Sequence, residues 1–273
     1  MSRENLRVME DVRRVATARG RAQVGAFLVE GQRMLERALR ANWAPRDVLV
    51  GEEHRREHPE LEAVLERVAA LGGRAHVAPD AALLALAEGR RSGLLAALLP
   101  LPDTLELSAL LARLPTDAVF LVLVDVVEPG NVGALLRTAL ASNAAAAICV
   151  GQTDPFHSKA VRTSLGSLFK LPIARRASSD GLIDELRGRG IHSLATVARG
   201  GAALDRAIWP RGGLALMVGN EGQGLSERLR DAADGRVTID LSQAADSFCV
   251  NAAAAVCLYE VQRRRRFELD FAG

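Results

Sequence analysis

Residues 120–144 read FLVLVDVVEPGNVGALLRTALASNA. The first five are Phe, Leu and Val without a polar break, the pattern of a strand buried on both faces. Asp125 ends the run, and Glu128, Pro129, Gly130 and Asn131 form a turn cluster. A helical pattern follows, with Asn131 as the expected N-cap. A strand, a polar turn and a helix whose N-terminus faces that turn make the unit that binds ligands at the carboxyl end of parallel sheets. Arg137 is the one charge in the helical stretch. It is either a snorkelling surface residue or a functional cation.

Outward from this unit, the chain alternates in the same way. Residues 146–150 and 213–218 read as further buried strands, 191–197 as a strand, Arg236–Leu241 as the last strand, and 179–189 as a helix. Gly213–Val218 runs into GNEGQGLS, residues 219–226, where glycines let backbone approach a ligand closely. Residues 246–266 hold a short polar loop and a long Ala-rich helix ending in Arg263–Arg266. The many alanines permit close packing against another helix.

Before residue 100 a second alternation stands. AFLVEG (26–31) reads as a strand, QRMLERALRAN as an amphipathic helix, Arg46–Val50 and Gly73–Val77 as strands, and 60–71 as a helix. Asp80 is the expected cap of a third, short helix, and Gly93–Leu98 a fourth strand. These make a small α/β domain. Residues 5–18 suggest a helix carrying Arg13 and Arg14, with Arg21 just beyond. This basic arm suits RNA or is simply solvated. Pro100, Pro102 and Pro115 mark a linker with one helical piece. The resulting division is 1–100, a linker 101–116, and 117–273.

The 273 residues suffice for two ordinary domains and are 49% hydrophobic, so a core can form with only 4% aromatic residues. The net charge is +2. Nearly all the cations are Arg, which binds phosphate bidentately and stacks on bases. Three cysteines, no CxxC and no leader-like N-terminus fit a reducing, cytoplasmic setting. No apolar run reaches the length of a membrane helix. His54-Arg55-Arg56-Glu57-His58 matches an inverted zinc-protease signature. Pro59 follows directly and the segment bridges a strand and a helix, so we read it as a chance match and expect no metal. No G-x-G-x-x-G follows the first buried strand, which argues against a dinucleotide-dependent enzyme.

Three of these stretches together resemble the SpoU/TrmH branch of the SPOUT methyltransferases. D-x-x-x-P-x-N-x-G-x-x-x-R-T-A from Asp125 resembles the first family motif, and GNEGQGLS the second. Residues from Ser247 to Tyr259-Glu260 resemble the third, S-L-N-V-S/A-V-A followed by a helix ending in Y/F-E. SKAVRTSLGSLFKLP (158–172) resembles the segment between the first two. FLVEGQRMLERAL resembles the start of the RNA-binding domain that precedes many SpoU domains. The resemblance implies an α/β RNA-binding domain followed by a parallel-sheet SPOUT domain with a C-terminal trefoil knot. It also implies a homodimer that transfers a methyl group from S-adenosylmethionine to a ribose 2′-hydroxyl of rRNA, or alternatively tRNA. Position by position, Gly219, Ile239 and Phe248 would line the cofactor pocket, with Thr196 as a looser candidate. Asn131, Arg137 and Glu221 would form the catalytic cluster with Ser247 and either Cys249 or Asn251. Arg13, Arg14, Arg21 and Arg162 are the candidate RNA contacts. One departure stands out. Aligned without a gap, the third motif puts Cys249 where the family has Asn, and Asn251 two residues on is the nearest amide. We expect Asn251 to face the Glu221 loop and to serve as the replacement. The alternative is an RNA-binding relative whose altered third motif has cost it activity.

Overall fold

A computed structural model describes residues 2–242 and 246–270, the side chains of 266–270 excepted. In chain order the elements of the first hundred residues are α1 (Arg3–Arg14), α2 (Ala18–Val24), β1 (Ala26–Glu30), α3 (Gln32–Arg40), β2 (Asp47–Gly51), α4 (Glu52–Glu57), α5 (Leu61–Ala70), β3 (Arg74–Ala78), α6 (Asp80–Leu86) and β4 (Leu95–Pro100). There follow α7 (Leu107–Leu111), β5 (Val119–Val124), α8 (Pro129–Ala141), β6 (Ala146–Val150), α9 (Ser158–Thr163), β7 (Ile173–Arg176) and α10 (Leu182–Arg187). The rest are β8 (Ile191–Thr196), β9 (Ala202–Ala203), β10 (Gly213–Val218), α11 (Glu227–Ala232), β11 (Gly235–Thr238) and α12 (Val250–Asp270).

The chain divides into two units. The first is Met1–Asp103 together with Phe156–Lys170, and the second is Thr104–Pro155 with Leu171–Gly273. The first unit therefore takes in a segment, α9 and the 3-10 turn after it, that lies far along the sequence. Its sheet runs β1-β4-β2-β3. β4 is antiparallel to both β1 and β2, while β2 and β3 are parallel. The distant segment is held by aromatic packing, Phe156 on Phe27 and Phe169 on Trp43 with ring centres 5.1 and 5.6 Å apart. Trp43 Nε1 donates to the Phe169 carbonyl at 3.0 Å, and Arg37 to that of Leu165 at 2.8 Å. Gly166, at φ +88°, lets the chain turn against Arg37; a Cβ there would stand 2.8 Å from Arg37 Cδ. Asp47 is buried and accepts from Arg46, Arg74 and His76. Burial would raise its pKa, but the hydrogen bonds from His76 and Arg46 outweigh it and hold the carboxyl below its usual range.

In the second unit seven parallel strands run β7-β6-β5-β10-β8-β11-β9. Every residue of β5, β6 and β10 is buried, as their unbroken apolar runs require. Each fully buried Leu or Val there contributes about 2 kcal/mol. α10 packs on β8, and α12 packs on α8 and β10.

Several expectations are corrected. The first helix ends at Arg14 and a separate α2 follows, capped by Thr17. Arg21 is not an RNA contact: it is 3% exposed, and its guanidinium donates to the Val15 and Ala16 carbonyls, tying α1 to α2. Asp80 does not cap α6, which starts after Pro79. Its carboxylate instead accepts from the Glu53 and His54 amides and so caps α4. The helical piece expected within the linker is α7, but it is not mere connection: its Leu107, Leu110 and Leu111 are buried in the second unit's core. The last strand stops at Thr238, leaving Ile239 in the following loop. α4, α11 and the two-residue β9 have no counterpart in the sequence reading. The His54–His58 stretch does form a short helix, α4. Its imidazoles pack ring against ring, 4.4 Å apart, and His58 pairs with Glu60. Among the described residues no group of three His, Cys, Asp or Glu is placed to hold a metal.

Candidate active site

The helix after β5 begins one turn earlier than the sequence suggests. Pro129 takes the first helical position, where its missing N–H costs nothing. Glu128 is the N-cap, its carboxylate accepting from the Gly130 amide. Asn131 is thereby released from capping and sits on the first turn of α8. Its side chain reaches the 219–226 loop, where Nδ2 donates to Glu221 Oε1 at 2.9 Å. Glu221 also accepts from the Val127 and Glu128 amides, at 3.3 and 3.2 Å. Partial burial would raise its pKa. The hydrogen bonds from Asn131 and from backbone N–H groups prevail and lower it, so Glu221 is a carboxylate at neutral pH.

That charge sets the direction of everything joined to it. A carboxylate only accepts, so Asn131 must turn its NH₂ toward Glu221 and its Oδ1 away. Asn251, on the first turn of α12, donates Nδ2 to that Oδ1 at 3.0 Å. Glu221, Asn131 and Asn251 thus form a polarised relay joining the 219–226 loop to the first turns of α8 and α12. It ends on Asn251 Oδ1, a buried acceptor without a partner among the described residues.

A second tie runs parallel to it. Asn220 Nδ2 donates to the Asp125 carbonyl at 3.0 Å, while its Oδ1 accepts from the Gly222 and Gln223 amides. Asp125 itself adopts φ +50°, and its carboxylate accepts from Gln152 N. The loop closes on itself through paired backbone hydrogen bonds between Asn220 and Gly224. Gly219 makes this closure possible, since a Cβ there would lie 2.3 Å from the Gly224 carbonyl carbon.

These loops wall a cavity of about 700 Å³ within the second unit, a size suited to a cofactor. All four expected cofactor residues, Thr196, Gly219, Ile239 and Phe248, line it, as do Asn131, Glu221, Ser247 and Cys249. Thr196 Oγ1 is engaged with the Met217 carbonyl at 2.9 Å, which leaves its backbone and methyl for the wall. Cys257 also faces the cavity, and burial pushes its thiol up to about 12, so it stays protonated. Arg137 is not part of the wall. It stands exposed on α8, six residues past Asn131 and so about 120° around the helix from it.

Sequence reasoning passed over Asn220, whose position inside a Gly-rich loop gave no hint that its amide bridges to Asp125. It also passed over Arg199 and Arg230, which line the cavity, Arg230 with its Nε buried and without a partner among the described residues. No spacing pattern links either arginine to the motifs.

With this geometry in place, comparison with known proteins decides the family. The SpoU rRNA Methylase family profile matches residues 118–259. The chain belongs to that family. The profile of the MRM3-like substrate binding domain matches residues 7–79. Among similar proteins is the 23S rRNA (guanosine(2553)-2′-O)-methyltransferase RlmP of Bacillus subtilis, 29% identical over 93% of this chain and 95% of its own length. Another is the 23S rRNA (guanosine-2′-O-)-methyltransferase RlmB of Coxiella burnetii, 30% identical over 77% of this chain and 85% of its own. Among solved structures, the AdoMet-bound rRNA methyltransferase from Sinorhizobium meliloti superposes with TM-score 0.83 at 26% identity, covering 97% of each chain. The SpoU methyltransferase AviRb from Streptomyces viridochromogenes, in complex with AdoMet, does so with TM-score 0.83 at 25% identity, covering 95% of this chain and 98% of that one.

Proposed function

We propose that this SpoU-family chain transfers a methyl group from S-adenosylmethionine to a ribose 2′-hydroxyl of RNA, with rRNA as the substrate. The observation that carries this reading is the Glu221–Asn131–Asn251 relay at the edge of the cavity. It joins the three motifs that the resemblance names.

The residues present fit the cofactor. Gly219, Gly222 and Gly224 expose backbone along one wall, and Val237, Ile239 and Phe248 supply apolar contact for an adenine ring. Arg199 and Arg230 suit a carboxylate, and Arg230 Nε is buried without an acceptor. S-adenosylmethionine supplies an electrophilic methyl on a sulfonium. The protein must align the attacking hydroxyl and stabilise the alkoxide charge that develops on it. Glu221 acts as a positioning residue, because its oxygens are already engaged by Val127, Glu128 and Asn131. Through Asn131 it fixes the orientation of Asn251. In this reading Asn251 does the work of the family amide and Cys249 does not.

A guanidinium is a poor base, so the role proposed for Arg137 is electrostatic. Its exposed place on α8 suits a site completed by a second copy. The homodimer is part of this proposal: α12 leaves Val256 and Tyr259 exposed, the latter at 67%, and a partner would cover them. The trefoil knot, RNA contact by Arg13, Arg14 and Arg162, and a cytosolic location belong to the same reading. No described helix is long and apolar enough to cross a membrane.

The test is incubation with methyl-labelled S-adenosylmethionine and separate unmodified 23S rRNA and tRNA pools. Label in the rRNA supports the proposal, and label confined to tRNA redirects its substrate. Cofactor binding without transfer to any RNA favours the RNA-binding alternative.

A further inference from the structure

The first unit carries an arrangement of arginines that the methyl-transfer site does not use. Glu30, the last residue of β1, has a side chain only 3% exposed. Its two oxygens are each taken by an arginine, Oε1 by Arg90 at 3.2 Å and Oε2 by Arg162 at 3.1 Å. Arg90 comes from the turn before β4 and Arg162 from α9. Each keeps 37% of its side chain exposed. One buried carboxylate thus holds two guanidinium groups from distant segments side by side at the surface.

The neighbouring turns add two further arginines. Arg91 follows Arg90 directly. Gly31 and Ser92 are neighbours in space, since a Cβ on Gly31 would stand 3.6 Å from Ser92 Cβ. The turn carrying Arg91 therefore abuts the start of α3, where Arg33 stands. Arg33 and Arg91 are exposed and have no hydrogen-bond or ion-pair partner among the described residues. No acidic residue lies in the first turn of α3. Among the described residues, Glu88 is the one further acid hydrogen-bonded to these arginines, paired with Arg90 at 3.1 Å. An ion pair that served only to pin α9 to β1 would need one arginine, and here Glu30 holds two.

We propose that Arg33, Arg90, Arg91 and Arg162, with Glu30 orienting the middle pair, form a binding site for the RNA sugar-phosphate backbone. The guanidinium forks of Arg33 and Arg91 match phosphate oxygens bidentately, while Arg90 and Arg162, held by Glu30, add charge beside them. The site engages phosphates rather than bases, so it positions the RNA and does not read its sequence. The proposal rests on RNA being the substrate, and it assigns the site a role apart from the chemistry.

The test measures affinity of the full-length protein for an unmodified 23S rRNA transcript over a series of salt concentrations. The double variant Arg33→Gln/Arg91→Gln breaks no internal hydrogen bond or ion pair, so its melting temperature should match the wild type. Its affinity at low salt should fall about tenfold or more, and the slope of log affinity against log salt should shrink by roughly 0.7–0.9 for each phosphate the variant no longer neutralises. Arg90→Gln should reduce the slope similarly. Arg40→Gln, which removes an exposed arginine paired with Glu36 on α3, should leave the slope unchanged. Binding of S-adenosylmethionine, followed by calorimetry, should be the same in all variants. An unchanged slope in the double variant overturns the proposal, and with a lowered melting temperature in Arg90→Gln it reduces the pair to a structural clamp. Methyl transfer by the wild type is scored separately. A reduced slope with no transfer would leave this site standing and reject the proposed reaction.

Discussion

At the scale of single residues, the proposed chemistry turns on an amide. Asn251→Ala removes the donor that holds Asn131 Oδ1 and should lower kcat about tenfold, the effect of one buried hydrogen bond of roughly 1–1.5 kcal/mol. Cys249→Ala should leave kcat nearly unchanged. Steady-state kinetics on both variants check this, and the reverse pattern would make the thiol the working group. Arg137→Ala should abolish transfer while cofactor affinity holds, because its interaction belongs to the transition state; near-normal turnover would make it a solvated charge with no part in the reaction. Glu221 gives a pH dependence whose sign follows from its lowered pKa. Its contribution to loop closure is present above the ordinary carboxylate value of 4.5 and is lost as pH falls through the lower folded value. Cofactor affinity should therefore be level from neutrality down to about pH 5 and decline below it. In Glu221→Gln, affinity should be reduced at every pH, since an amide cannot accept from three donors as well as a carboxylate does.

At the scale of elements, the parts legible in the sequence were those with an unambiguous period. β5, β6 and β10 are unbroken apolar runs, and α3 and α5 carry the apolar spacing of amphipathic helices. The parts missed were short or held by tertiary contacts. β9 is two residues long, and α4 is a six-residue polar helix without an apolar face, fixed by Asp80 from another element. Asn131 looked like a cap because cap residues and site residues share the same chemistry, and only the Pro129 position reveals that Glu128 does the capping. The cavity residues were legible where a motif named them; the bridge from Asn220 to Asp125 was not, since it joins residues 95 apart. Two variants test the element assignments. Asp80→Ala should cost about 1 kcal/mol by denaturant melt, the value of a lost helix cap. Gly219→Ala should open the 219–226 turn and cut cofactor affinity sharply while the sheet, monitored by circular dichroism, stays folded.

At the scale of the whole molecule, the chain's two units are not two consecutive stretches. Phe156–Lys170 belongs with the first unit, although in sequence it lies between two motifs of the second. Periodicity cannot reveal such an exchange, because the partners Phe27, Trp43 and Glu30 lie more than a hundred residues away. A fragment ending at residue 103 would expose Phe27 and Trp43 and leave Glu30 with one arginine fewer. It should melt well below the intact protein, and equal stability would show that the segment is dispensable. The proposed reaction stands or falls on which atom receives the methyl group, and alkaline hydrolysis of the labelled rRNA product identifies it. Alkali cleaves RNA through the free 2′-hydroxyl, so a 2′-O-methyl ribose protects its own 3′-phosphodiester. The label should be recovered in an alkali-resistant dinucleotide at a single position. Label released in a mononucleotide would place the methyl group on a base and contradict ribose 2′-O-methylation.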